Sequence, residues 1–234
     1  MERLIAGAQK LGLFLTPEQV ESFQVYYEEL ISWNRKVNLT AIVDYEEVQL
    51  KHFLDSLTIV LAVKDMPPLL LDVGTGAGVP GVPLKILFPS IHLTLLESVA
   101  KKTSFLEHLV TRLGLEGVEV LTGRAEHLAH DGRYRERFAL VLSRGVAKLA
   151  TLAELALPFC AMGGAFIAQK KGEIEGEIEA VARAIDILGG RLREVKRVEL
   201  EELGEERALV IIDKITPTPQ RYPRRAGIPQ KRPL

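Results

Sequence analysis

Cysteine is almost missing from this chain: Cys160 stands alone among 234 residues. A single thiol rules out an intrachain disulfide and fits a reducing compartment. Set in the apolar stretch LPFC after a predicted helix, it reads as a small core filler rather than a nucleophile. Long apolar runs are missing too. None reaches 18 residues, so no helical membrane span is expected. The opening MERLIAGAQKLGLF carries acid and base early and has no small-residue cleavage site, so no secretion signal is expected and a cytoplasmic location is. Asparagine occurs only twice, at Asn34 and Asn38. Two amides so close together point either to a demand for amide hydrogen bonds or to a helix cap followed by a turn. Acidic residues are missing from one end. Residues 214–234 hold six basic side chains and no acid, which leaves the rest of the chain at −7 beneath a net charge of −1. An acidic body with a basic end suits contact with nucleic acid along one edge. His52 and Asp55 share a helix side but have no third ligand, so a packed or capping role is expected rather than a metal site.

What is present is organised around residues 69–81, LLLDVGTGAGVPG. A short apolar strand ends at Asp72-Val73, and Gly74, Gly76, Gly78 and Gly81 follow before a predicted helix. Glycines remove side chains where backbone must approach a ligand and allow turns with positive φ. The helix beyond directs free N–H groups to the same place. Gly76-Ala77-Gly78-Val79-Pro80-Gly81 fits G-x-G-x-x-G, so this motif alone does not separate a dinucleotide from S-adenosylmethionine. Asp72 favours the latter. It can fix the loop and approach a charged amine, whereas a carboxylate beside a pyrophosphate would repel it. Glu97 closes the next apolar run, where an acid accepts ribose hydroxyls.

Amphipathic helices are expected over 1–12 and 17–33, the second opened by Thr16-Pro17-Glu18-Gln19 as a capping box, and a third over 44–63. Met66-Pro67-Pro68 then breaks the chain. From there strands are expected at 69–73, 92–97, 118–121, 138–142 and 164–169, with helices near 81–88, 99–113, 148–157 and 173–188. Strand-like stretches at 191–200 and 208–212 flank a charged turn. Alternation of this kind implies a mostly parallel sheet covered on both faces, with a terminal antiparallel hairpin: an α/β, Rossmann-like sheet of seven strands preceded by an N-terminal helical region. The expected divisions are a helical region at 1–66 packed on the core, an S-adenosylmethionine-binding core at 67–214 and a basic, proline-rich tail at 215–234. The tail's prolines suggest an extended strap outside the core.

Ligands of open parallel sheets sit outside the carboxyl ends of the strands. Those ends carry Asp72, Glu97, Arg124-Ala125-Glu126, Ser143-Arg144 and Gln169-Lys170. Ala125 and Glu126 are expected beside an adenine, and Arg144 where a methyl group meets its acceptor. The Asn/Asp-Pro-Pro-aromatic run that grips an exocyclic amine is missing after the fourth strand, and so is a Pro-Cys nucleophile. Guanine N7 needs neither, because its in-plane lone pair attacks a sulfonium methyl directly and the enzyme supplies proximity.

Six motifs together carry a resemblance: Trp33-Asn34…Asn38-Leu39-Thr40, His52-x-x-Asp55-Ser56, Asp72 through Gly81, Leu95-Leu96-Glu97-Ser98 with Lys101-Lys102, Ser143-Arg144, and Lys170-x-Gly172. The chain resembles the bacterial small-subunit ribosomal RNA guanine-N7 methyltransferases, the glucose-inhibited division protein B family. It departs from them mildly, with Glu97 for a frequent Asp and Gly145 for a frequent Ala. The resemblance implies methyl transfer from S-adenosylmethionine to N7 of one guanine in 16S ribosomal RNA, on free RNA or on the small ribosomal subunit. It implies cofactor contacts from Gly74, Val79, Glu97, Ser98, Val99, Ala125, Glu126 and Arg144, which join Asp72, Gly76 and Gly78 from the loop. Arg124 and Arg144 would be the residues most tied to activity. RNA contact is expected from Asn34, Asn38 and Lys170 and from Arg221, Arg224, Arg225, Lys231 and Arg232 in the tail. A monomer is expected. The competing readings are a methyltransferase of another RNA or small molecule, a nicotinamide-dependent oxidoreductase, and a non-catalytic ribosome assembly factor on the same fold.

Overall fold

The computed structural model describes residues 1–145 and 147–234. Helix α1 (Glu2–Lys10) leads to α2 (Pro17–Val37). The capping box at the start of α2 forms as expected: Thr16 Oγ1 accepts from the Gln19 amide, and Gln19 Oε1 accepts from the Thr16 amide. Asn38 ends α2 in the left-handed region, at φ 53°. The single helix expected over 44–63 is instead four short pieces. Asp44 caps α3 (Tyr45–Val48), a π-helical turn follows over Gln49–Leu54, then α4 (Asp55–Leu57) and a 3-10 turn over Thr58–Ala62. π-Turns are rare and recur at functional sites because they re-aim side chains, and this one carries His52.

Beyond the Pro67-Pro68 break come β1 (Leu69–Val73), α5 (Gly81–Leu87), β2 (His92–Glu97), α6 (Ala100–Arg112), β3 (Val118–Thr122), α7 (Ala125–Leu128) and β4 (Phe138–Arg144). The chain continues through α8 (Leu149–Ala156), β5 (Cys160–Lys171), α9 (Glu175–Ile187), β6 (Gly190–Val198), β7 (Arg207–Lys214) and α10 (Ile228–Lys231). The sheet order is β3-β2-β1-β4-β5-β7-β6. β1 to β5 are parallel, and β7 runs antiparallel between β5 and β6. All seven strands lie where the sequence places them, with β4, β5 and β7 extending beyond the expected limits.

Alternation along the strands divides the core in two. Leu140 and Leu142 face one cluster, which α1, α2, the π-turn, α5 and α6 complete through Phe23, Tyr26, Phe53 and Phe105. Val141, Phe166, Val210 and Ile212 face the other, covered by α8 and α9. The N-terminal helices therefore share one core with the sheet. Gln19 ties them further by donating to the Ile86 and Leu87 carbonyls at the end of α5. No helix among the described residues is long and apolar enough to cross a membrane.

Candidate active site

The glycine loop is built from its buried acid outward. Asp72 is fully buried, and its Oδ2 accepts from Thr75 Oγ1 at 2.7 Å and from the Gly81 amide at 2.9 Å. The carboxylate thus caps the start of α5, and that amide is not open to a ligand. A side chain on Gly81 could not be accommodated, since a Cβ would lie 3.0 Å from Asp72 Oδ2 and 2.8 Å from Leu95 Cδ2. Burial raises the Asp72 pKa to about 6, against the lowering effect of its two hydrogen bonds and of Arg144. Its Oδ1 has no hydrogen-bond partner among the described residues. Gly78 serves packing. At φ +95° its missing Cβ would lie 2.8 Å from the hydroxyl oxygen of Tyr26, which donates to the Ala77 carbonyl at 2.5 Å.

Glu97 stitches the second strand to the loop. Oε2 accepts from the Gly76 amide at 3.1 Å and Oε1 from the Val99 amide at 2.9 Å. A carboxylate has about four acceptor positions, so capacity remains for hydroxyl donors. A cavity of about 460 Å³ opens here, at the carboxyl ends of β1, β2 and β4. Of the residues expected at the cofactor, Gly74, Gly76, Val79, Glu97, Ser98 and Arg144 line it, and so does Arg124, which was expected with Arg144 to be tied to activity. Asp72 and Gly78 stand behind the loop, and Val99, Ala125 and Glu126 are not in the wall. Ala125 packs in the second core cluster. Glu126 accepts from the Gly227 amide at 3.0 Å, so its carboxylate is held by the C-terminal segment. The cavity adds Thr40, His52, Lys102, Leu152 and Leu155 to the expected set. Nothing in the spacing of Leu152 and Leu155 distinguishes them from ordinary core positions on α8.

Arg144 closes the far wall. Nη1 donates to the Lys51 carbonyl of the π-turn at 2.9 Å and reaches Asp55 Oδ2 at 3.3 Å, while Nη2 lies 3.0 Å from His52 Nδ1. Nδ1 also faces the Lys51 carbonyl at 3.2 Å, but the shorter contact is with the charged Arg144, which has no acceptor; with Nδ1 accepting from it, the ring proton is assigned to Nε2, facing Thr40 Oγ1 at 2.8 Å. Burial, and then the Arg144 charge, push the His52 pKa down to about 3. The imidazole is neutral with both nitrogens engaged. His52 and Asp55 are therefore packed and paired, and among the described residues no group of side chains could hold a metal ion.

The residues expected at RNA are placed as follows. Asn34 is consumed locally: its Oδ1 accepts from the Leu39 and Thr40 amides, and its Nδ2 donates to the Thr40 carbonyl. With Asn38 as the left-handed cap, the pair builds a turn that delivers Thr40 to the cavity. Lys170 is buried, bonded to the Ala147 carbonyl and to Glu177. The tail is not an extended strap. Arg224 forms a forked pair with Glu154, whose side chain is 0% exposed. Tyr222 and Pro229 are buried, Thr151 donates to the Pro229 carbonyl, and Arg135 donates to the carbonyls of Thr218 and Tyr222. Buried acids on α7 and α8 supply the partners that the tail's own composition hides. Arg221, Arg225, Lys231 and Arg232 remain exposed.

This sheet order, a glycine loop after β1 and an acid closing β2 inside the cavity define a Rossmann-like, S-adenosylmethionine-dependent methyltransferase. Solved structures agree on the fold: a SAM-dependent methyltransferase from Aquifex aeolicus gives a TM-score of 0.52 at 16% identity over 72% of this chain and 93% of that one. A ribosomal protein L11 methylase from Lactobacillus delbrueckii gives 0.53 at 13% identity over 71% and 79%. The family model described as rRNA small subunit methyltransferase G (GidB) matches residues 19–210. Relatives named ribosomal RNA small subunit methyltransferase G are 53% identical in Dehalococcoides mccartyi and 48% in Roseiflexus castenholzii, each over the full length of both chains. The chain belongs to this family.

Proposed function

We propose that this enzyme transfers a methyl group from S-adenosylmethionine to N7 of a guanine in 16S ribosomal RNA of the small ribosomal subunit. The observation that carries the choice of atom is the state of the acceptor side. His52 is neutral with both nitrogens bonded, and Asp55 lies between the guanidinium groups of Arg144 and Arg207, each at 3.3 Å, which disfavours its taking up a proton, so among the described residues no uncompensated base stands there. Methylation of an exocyclic amine must lose a proton, whereas N7 needs no base. Its lone pair forms the new N–C bond, the C–S pair stays on sulfur, and the positive charge passes to the purine.

S-adenosylmethionine, when bound, supplies an electrophilic methyl on a sulfonium. The chain's part is placement. Glu97 would hold the ribose hydroxyls, the backbone of Gly74 and Gly76 would lie along the ligand, and Leu152 and Leu155 would exclude water. Asp72 keeps the loop in shape from behind. Arg144, held rigidly by Lys51, His52 and Asp55, would orient the incoming base and is read as catalytic. Arg124 and Lys102 on the cavity rim, with exposed Lys101 and Lys148 beside them, would meet RNA phosphates. The deciding experiment incubates the protein with labelled S-adenosylmethionine and small ribosomal subunits, then digests the RNA to nucleosides. Label in 7-methylguanosine is expected. Label in an exocyclic or pyrimidine position would overturn the choice of atom, and no label in ribosomal RNA would overturn the choice of substrate.

A further inference from the structure

A second cavity, of about 350 Å³, opens beside the first and shares His52 and Arg144 with it. Its walls come from the π-turn, α4 and the adjoining ends of β4, β5 and β7. Asp55, Gln169 and Arg207 line it, and they are 2, 4 and 3% exposed. Each keeps hydrogen-bonding capacity that no well-formed hydrogen bond uses. Asp55 Oδ1, Gln169 Oε1, and Arg207 Nε and Nη2 have no hydrogen-bond partner among the described residues. The Gln169 amide cannot be turned around to satisfy itself, because its Nε2 donates to the Asp55 carbonyl at 2.7 Å, which only accepts. Arg207 Nη1 is occupied by Glu205 and two backbone carbonyls, and Nε lies 3.3 Å from Asp55 Oδ1 as a loose ion pair. Unused polar groups at this depth are costly in a fold that does not need them.

We infer that this second cavity receives the target base, and that Arg207, with Asp55 and Gln169, makes it specific for guanine. The inference rests on the methyl-transfer reading above. The unused groups are a donor at Arg207 Nη2 and an acceptor at Gln169 Oε1, and between them the Arg207 Nε–Asp55 Oδ1 pair, at 3.3 Å, is loose enough to exchange its partners for a base's acceptor and donor. Guanine offers the complement: O6 as acceptor, and N1–H with the N2 amino group as donors. Adenine places an amino donor where guanine has O6, and it would meet the Arg207 donors with another donor. O6 adjoins N7, so a guanidinium on O6 also turns N7 toward the shared wall formed by His52 and Arg144. Neither Arg207 nor Gln169 touches the first cavity. Their loss is therefore separable from cofactor binding.

The test uses the full chain and two versions of the same small-subunit RNA, with guanine or adenine at the modified position. Arg207→Lys keeps the charge beside Asp55 but withdraws the rigid fork of N–H groups. The ratio of kcat/KM for guanine over adenine should fall about tenfold or more, with S-adenosylmethionine affinity by calorimetry unchanged within about twofold. A purely structural role would lower both substrates together and leave the ratio alone, which would overturn the inference, as would a parallel loss of cofactor affinity. Asp55→Asn, equal in size, should lower the same ratio and keeps the test decisive if the lysine variant does not fold. A wild-type enzyme that labels neither RNA overturns the parent reading and this one with it. Wild-type labelling of guanine with an unchanged ratio in both variants overturns this one alone.

Discussion

At the scale of single residues, the site is a set of charges whose neighbours decide what they do. Glu97 is the carboxylate that faces the cofactor cavity, and Glu97→Ala should weaken S-adenosylmethionine binding by about 1.5–3 kcal/mol, the worth of a charged hydrogen bond. Calorimetry giving an unchanged affinity would remove Glu97 from the ribose. Two buried groups set opposing pH dependences. His52 titrates at about 3 when folded against an ordinary 6.5, so its contribution to stability is present above 6.5 and is lost as pH falls toward 3. Asp72 runs the other way: raised from 3.8 to about 6, it contributes fully below 3.8, and that contribution is lost as pH rises through 6. The two cancel in part between those values. Asp72→Asn removes one of them, so denaturant unfolding of this variant should show stability rising more steeply with pH across that window than in the parent. Equal slopes would mean that Asp72 is ionised throughout. The role of Asp72 as loop anchor was readable from its position before the glycines. The engagement of Glu126 was not, because its partner, Gly227, lies 101 residues away.

Among elements, the C-terminal segment changes most between sequence and structure. Its prolines and its lack of acids pointed to an extended strap outside the core. Its docking onto α7 and α8 reverses that expectation. Deleting residues 217–234 would strand Glu154 as a buried, unpaired carboxylate, an uncompensated charge worth about 3–5 kcal/mol. The truncated protein should melt well below the full chain, and Glu154→Gln in the truncated background should recover part of the loss. A truncation that leaves the melting temperature unchanged would show the docking to be energetically idle. Because α8 carries Leu152 and Leu155 into the cavity, the deletion should also weaken cofactor binding. The segment over 44–63 shows the converse. Its helical character was legible from its apolar spacing, but the π-turn that offers the Lys51 carbonyl to Arg144 was not, since a one-residue widening leaves no trace in periodicity.

For the molecule as a whole, the N-terminal helices are the face of the sheet, not an appendage. Phe23, Tyr26 and Phe53 fill the same cluster as Leu95 and Leu142, and Tyr26 also fixes the glycine loop. Residues 67–234 alone should therefore fail to unfold cooperatively, with far-UV circular dichroism well short of its share of the native helix. A cooperative melt of that fragment would establish residues 1–66 as a separable domain. The sequence by itself determined the order of strands and helices, the glycine loop, the capping box at Thr16 and the acid at the end of β2. All of these rest on periodicity, turn chemistry and caps, which act over a few residues. Only the tertiary structure decided that Gly78 is small for the sake of Tyr26, that Arg224 belongs to Glu154, and that Gln169 and Arg207 converge on Asp55. Those partners lie 52 (78 − 26), 70 and at least 114 residues apart in the chain. No local pattern records which distant side chain will fill a space or meet a charge; only the closed sheet and its covering helices bring them within reach.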